Sequence, residues 1–423
     1  MTRKAILTTA WIALLLILGG LIAPNKINVD FRSNAQEKSE EFLLAMPLPK
    51  QISVDQRLIE ANTNFSFKLF SEILREDRDQ NVFVSPASVA IALSMAYNGA
   101  SGTTKKEMAE ALEFQGMSLP EINAANQALR EALLKADPEV QLSIANSLWA
   151  REDFSFKHQF LKNNRKFYDA QVTSLNFASP EAIEIINRWV NEKTRGKIDQ
   201  IIESIQPEDV LFLINAIYFK GNWTNEFDKN LTTEKPFYLS NGSSKEHPMM
   251  SGSGEYRYYE NEQFQAVSLP YGEGSLSMYI FLPSENSNLD AFSEQLTSDN
   301  WNQWISQFSS REGSIQIPRF KLEYEVELNR ALKALGMEAM FDSSRADFSQ
   351  MTSDPVKVDT VKHKTFVEVN EEGTEAAAVT SIGIRTTSVS QPFRMIVERP
   401  FFCAIRDNQT ETILFMGAIV EPE

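Results

Sequence analysis

The chain is expected to fold as an α+β protein. Apolar residues recur at helical spacing through the first part of the body, and strand-like runs follow in the second part. Helices grouped first and strands grouped later argue against an alternating α/β order. Between two late strand candidates lies a polar segment of about twenty residues, long for a connection inside a compact domain and a sign of a functional loop.

The elements follow in order. Asn62–Leu74 has helical spacing. Ser85-Pro86 opens a helix over Ala87–Tyr97, and Asn98-Gly99 stops it. Thr103–Ala111, Ala124–Leu134 and Glu181–Thr194 are further helices, the last stopped by Gly196. Val210–Phe219 is a continuous apolar run, as expected of a strand buried on both faces. Ala266–Leu269 and Ser275–Leu282 flank the hairpin signal Tyr271-Gly272-Glu273-Gly274. Strands are expected at Ser314–Pro318, Lys357–Val369, Arg394–Val397, Phe401–Ile405 and Ile413–Ile419.

Ahead of the body, Arg3 and Lys4 precede an uncharged run rich in Leu and Ile from Ala5 to Ala23. This is an export signal. Two fates stand open: cleavage of residues 1–23 as a signal peptide, or their retention as a membrane tether through residues 5–23. Pro24 makes a poor cleavage site, and the run is long enough to span a bilayer. In either case the body is expected outside the cytoplasm, extracellular or periplasmic. Residues 24–55 are mixed and polar and read as a linker, and residues 56–423 as one domain.

A net charge of −16 argues against a nucleic-acid partner. The single cysteine, Cys403, excludes an internal disulfide and sits in an apolar run that suits a buried, inert thiol. The histidines at 158, 247 and 363 form no metal-ligand spacing, and no metal or cofactor is expected. The Gly/Ser stretches at 99–102 and 251–254 do not fit a nucleophile elbow, and no phosphate-cradling motif occurs, so the chain is not read as an enzyme.

The polar segment Glu371–Gln391 reads EEGTEAAAVTSIGIRTTSVSQ. Stepping by two from Thr374 gives Ala376, Ala378, Thr380, Ile382 and Ile384, with no charge. The alternate face carries Glu375, Ala377, Val379, Ser381, Gly383 and Arg385. Such a segment is an amphipathic strand in waiting, with one face that can be buried.

The ordered motifs NVFVSPASVAIALSMAYNGA at 81–100, INRWVNEKTRGKI at 186–198, LINAIYFKGNWTNEFD at 213–228, VEVNEEGTEAAA at 367–378, RPFFCAIRD at 399–407 and ILFMGAIVEP at 413–422 resemble the serpin superfamily, in the manner of an exported prokaryotic member. The resemblance spans about residues 60 to 421. It implies a single domain of eight or nine helices and three β-sheets, with an exposed reactive-centre loop at about 371–391. It implies a monomeric inhibitor whose partner is a serine protease. The protease acylates itself on the loop, and the cut loop inserts into the large sheet before the ester is hydrolysed. The alternative is a non-inhibitory binding or chaperone module whose loop is cut as a plain substrate. The hinge is Glu371, Glu372, Gly373, Thr374, Glu375, Ala376, Ala377 and Ala378, and its small residues Gly373, Thr374 and the three alanines favour the inhibitor.

By the same resemblance, Ser85, Ser88, Asn215 and His363 match the shutter where the large sheet parts. Trp223 lies below the loop's entry point, and Arg319 pairs with Glu371 at its base. Counting from Gly373 by the family spacing puts the scissile bond at Thr387-Ser388, which suits an elastase-like protease. Arg385-Thr386 is the alternative, for a trypsin-like or subtilisin-like enzyme, and Val389 is a third position.

Overall fold

Local signals set the first helices. Asp55 caps the helix Gln56–Glu76 by accepting from the Arg57 backbone N–H. Ser85 caps Pro86–Tyr97, with Pro86 in the first turn. Ser118 and Glu121 form a reciprocal capping box at the start of Leu119–Leu133. The computed structural model describes residues 53–374 and 391–423. Among them are nine α-helices and two hydrogen-bonded sheets, an α+β arrangement.

The six-stranded sheet contains β2 (Val140–Arg151), β3 (Gln171–Leu175), β4 (Leu211–Asn222), β10 (Phe320–Glu327), β11 (Thr360–Val369) and the two-residue β12 (Gly373–Thr374). Its order is β10-β11-β4-β2-β3, with β12 beside the end of β4. The central pair, β4 and β11, is parallel and in register from Phe212 opposite Thr360 to Ile217 opposite Thr365. Beyond that point their ladder stops, and Gly221 and Asn222 of β4 pair with β12 instead.

The nine-stranded sheet contains β1 (Val82–Val84), β5 (Thr233–Tyr238), β6 (Ser244–Glu260), β7 (Phe264–Tyr271), β8 (Leu276–Pro283), β9 (Ser309–Pro318), β13 (Phe393–Ile396), β14 (Phe401–Asp407) and β15 (Ile413–Ile419). Two of the three expected sheets are continuous here. The ladder of β6 on β9 joins the β5 and β13 side to the side made by β7, β8, β14, β15 and β1.

β4 is buried on both faces, which explains its unbroken apolar run. Leu211, Leu213, Ile217 and Phe219 join the main core. Phe212, Ile214 and Ala216 face a second core built with Ile186 and Val190 of the helix Glu181–Lys193 and with Ile198 and Ile201 after it. Under the main-core face lies the helix Pro86–Tyr97, buried all round. Its Ala and Ser residues let the two backbones approach closely.

Several elements differ from expectation. The first helix starts at Gln56, six residues before Asn62. β11 starts at Thr360 rather than Lys357. No expectation covered β1, β2, β3, β5, β6 and β10 or the helices His158–Asn163, Leu289–Ser293, Ser298–Gln307 and Asn329–Ala334. β6 is polar and Gly-bearing, and its ordering comes from neighbours on both sides. Cys403 is fully buried, and burial pushes its thiol well above the ordinary range.

Candidate functional site: the gate and hinge of the central sheet

The site is built where β4 and β11 lie side by side. Asn146 of β2, Asn215 of β4 and His363 of β11 are cross-strand partners in one row. Their side chains share the core face, above the capped start of the helix Pro86–Tyr97. The Ser85 backbone N–H donates to His363 Nε2 at 2.9 Å. That leaves the ring proton on Nδ1, which donates to Asn215 Oδ1 at 2.6 Å. The Asn215 amide then donates to Asn146 Oδ1 at 2.7 Å, to the Ser88 carbonyl at 3.2 Å and to Ser88 Oγ. Burial pushes the His363 pKa down to about 3, against a weaker upward pull from Asn215. The imidazole is therefore neutral at physiological pH, as its role as acceptor from Ser85 requires.

The family-matched shutter residues Ser85, Ser88, Asn215 and His363 thus meet in one network. Asn146 belongs to it as well and was missed in the sequence. Its Nδ2 is buried without an acceptor. A polar residue inside an apolar strand pattern was the available signal.

The hinge sits above this gate. Glu371 is 1% exposed, and its carboxylate accepts a forked pair of bonds from Arg319 Nε at 2.8 and 2.9 Å, and one from Arg319 NH2 at 2.5 Å. Thr232 Oγ1 donates to the same carboxylate. Burial alone would raise this acid, but the bonds from Arg319 and Thr232 hold it below its ordinary range. Glu372 pairs with Lys229. Trp223 donates from Nε1 to the Asn370 carbonyl at 2.9 Å and from its backbone N–H to Glu372 O at 2.9 Å. Its ring stacks on Tyr271 at 4.4 Å and 15°.

Gly373 and Thr374 then enter the sheet. They pair antiparallel with Asn222 and Gly221. Gly373 has φ of 141°, and a Cβ there would lie 2.3 Å from the Gly221 carbonyl oxygen. Only glycine fits. Thr374 is 1% exposed, and its Oγ1 lies 2.9 Å from the Tyr271 hydroxyl. Tyr271 was visible in the sequence only as a hairpin residue. The remaining hinge residues Glu375, Ala376, Ala377 and Ala378, and the candidate bonds at Arg385-Thr386 and Thr387-Ser388, lie outside the described residues.

Gly373 and Thr374 thus lie beside β4 just beyond the point where its parallel ladder with β11 stops, six residues along β4 from the buried, neutral network at Asn215. The family model "Serpin (serine protease inhibitor)" matches residues 60–422. The chain is a serpin.

Its relatives include the human leukocyte elastase inhibitor, 35% identical over 87% of this chain and all of that protein. Serpin B6 of Pongo abelii is 36% identical over 86% of this chain and 99% of that one. A serpin-like protein of Methanosarcina acetivorans is 32% identical over 87% and 89%. Among solved structures, the thermophilic serpin tengpin in its native state superposes with a TM-score of 0.82 at 32% identity, covering 89% of this serpin and 97% of tengpin. The relatives of this serpin support protease inhibition as its general function. Among its described residues no helix is long and apolar enough to cross a membrane, and residues 5–23 lie outside them.

Proposed function

We propose that this serpin inhibits a serine protease as a suicide substrate, by inserting the cut reactive-centre loop between β4 and β11. The observation that carries this reading is the seat of Gly373 and Thr374, which begins the new strand at the splayed end of β4.

The register of that seat extends into a consistent strand. Continued down β4, it brings Ala376 opposite Phe219, Ala378 opposite Ile217, Thr380 opposite Asn215, Ile382 opposite Leu213 and Ile384 opposite Leu211. Those partners face the main core, so the uncharged face of the loop meets the apolar face of the sheet. Thr380 reaches the gate between Asn215 and His363, where a hydroxyl can both donate and accept. Glu375 meets Lys220 on the opposite face. At about 1 kcal/mol net per added hydrogen bond, a strand of this length stabilises the cut form by on the order of 10 kcal/mol.

The chemistry belongs to the protease until the last step. Its serine oxygen attacks the carbonyl carbon of the residue before the cut, and the amine of the following residue leaves with a proton. The resulting ester holds the protease to the new N-terminal fragment. Insertion then carries the ester away from Trp223 toward the far end of β4. Thr387-Ser388 is the favoured bond, with an elastase-like target. Arg385-Thr386, for a trypsin-like or subtilisin-like enzyme, is the alternative.

The test mixes residues 50–423 with an elastase-like and a trypsin-like protease and follows denaturing gels and fragment masses. An adduct that survives SDS, with a released peptide starting at Ser388 or Thr386, is expected. Complete cleavage with no adduct overturns the trapping reading in favour of a non-inhibitory module.

A further inference from the structure

We propose that Asp137 is a positioning residue for the hinge: its carboxylate fixes the turn that carries Tyr271, and through Tyr271 the seat of Thr374. The inference rests on the reading that insertion starts from that seat.

Asp137 lies between the helix Leu119–Leu133 and β2 and is 5% exposed. Its two oxygens accept from backbone groups far apart in sequence, Oδ1 from the Glu139 N–H at 2.9 Å and Oδ2 from the Glu273 N–H at 2.8 Å. A buried carboxylate that accepts two N–H bonds is a strong clamp, since charge-assisted bonds are about twice as strong as neutral ones. The turn between β7 and β8 is pressed onto it. Gly272 has φ of +50°, and a Cβ there would lie 2.4 Å from Asp137 Oδ1.

The same turn is tied to the end of β4. Gly272 N–H donates to Asn222 O at 2.9 Å, and Thr224 Oγ1 donates to Gly272 O at 2.8 Å. Asn222 is the residue opposite Gly373. Tyr271, the residue before this clamped glycine, stacks on Trp223 and packs edge-on to Phe219 at 5.1 Å. Its hydroxyl ends at Thr374 Oγ1. Asp137 bonds through its side chain to Glu139 and Glu273, not to the described loop residues Glu371–Thr374. It sets the height of the ring against which the first inserting residue rests, so its loss frees the hinge from β4 while leaving the loop as cleavable as before.

The experiment compares the full chain with Asp137→Ala, Asp137→Asn and Gly272→Ala by hydrogen exchange over residues 370–374, by melting, and by moles of inhibitor consumed per protease trapped. In Asp137→Ala, exchange at Gly373 and Thr374 should rise about tenfold relative to the helix Pro86–Tyr97, as for one or two lost hydrogen bonds. Inhibitor consumed per trapped protease should rise about fivefold by the same measure, with the first cut unslowed. Asp137→Asn keeps the shape and one acceptor and should fall between. Gly272→Ala pushes the turn off the same carboxylate and should act like Asp137→Ala, which keeps the test open if the latter folds poorly. Adding Thr374→Val to Asp137→Ala should cost little more, because both act on one seat. A lowered melting point with unchanged exchange at 370–374 overturns the inference. Absence of an adduct in the unaltered protein overturns the proposed function instead and leaves the exchange result to decide the role of Asp137.

Discussion

The Tyr271 hydroxyl and Thr374 Oγ1 lie 2.9 Å apart, both fully enclosed, on strands of different sheets. This contact ties the first residue of the hinge strand to an aromatic stack on Trp223. It leaves no space for a larger or charged side chain at position 374.

Thr374→Arg should therefore convert the inhibitor into a substrate. An unpaired charge cannot be buried against the Tyr271 ring at low cost. The expected outcome on denaturing gels is loss of the protease adduct with an unchanged rate of loop cleavage. Thr374→Val, which keeps the volume and loses only the hydroxyl, should retain most of the adduct.

Cleavage of the loop should raise thermal stability. With on the order of 10 kcal/mol added by a completed sheet, the melting point should rise by roughly 10 °C or more. Calorimetry before and after limited cleavage checks this. An unchanged melting point would mean that the cut loop stays outside the sheet.

His363 should make the uncut fold acid-sensitive. Its folded pKa of about 3 lies below the ordinary value of 6.5. Its contribution is complete above pH 6.5 and falls as pH drops toward 3, by up to about 1.4 kcal/mol per pH unit. Denaturant titrations between pH 5 and 6.5 read this window above the range where the lowered acid Glu371 acts, and because burial also lowers His247, the difference between parent and variant slopes is what reports His363. His363→Gln should flatten the slope there.

Arg319→Ala should destabilise more than Glu371→Gln. The first leaves a buried carboxylate with Thr232 as its remaining side-chain donor, while the second removes the charge and keeps the shape. Because Arg319 is itself 42% exposed in its side chain, the expected loss is about 1–3 kcal/mol rather than that of a fully buried pair. Urea midpoints of both variants test the order.

Gly373→Ala should unseat the hinge. Its methyl would meet the Gly221 carbonyl, and the positive φ is strained for any L side chain. Faster exchange of the Thr374 amide, with little change elsewhere, is the expected signature.

Much of this was legible in the chain. The helix Pro86–Tyr97 and strand β4 announce themselves by caps and by an unbroken apolar run, because local backbone bonding and burial on two faces both write directly into composition. β6 does not, because its pairing partners rather than its own residues hold it extended.

By itself the sequence determined the α+β class, the alternating pattern from Thr374 to Arg385, and through ordered motifs the grouping of Ser85, Ser88, Asn215 and His363. Periodicity is a property of neighbours along the chain and needs no structure to be read. Only the tertiary structure decided that Asn146 joins that network, that Tyr271 meets Thr374 while Asp137 holds the turn after it, and that Thr374 already lies in the sheet. Those are contacts between residues more than a hundred positions apart, as Tyr271 is from Thr374, or brought together by register across strands, as Asn146 is to Asn215. Such distances close only when the sheets are assembled.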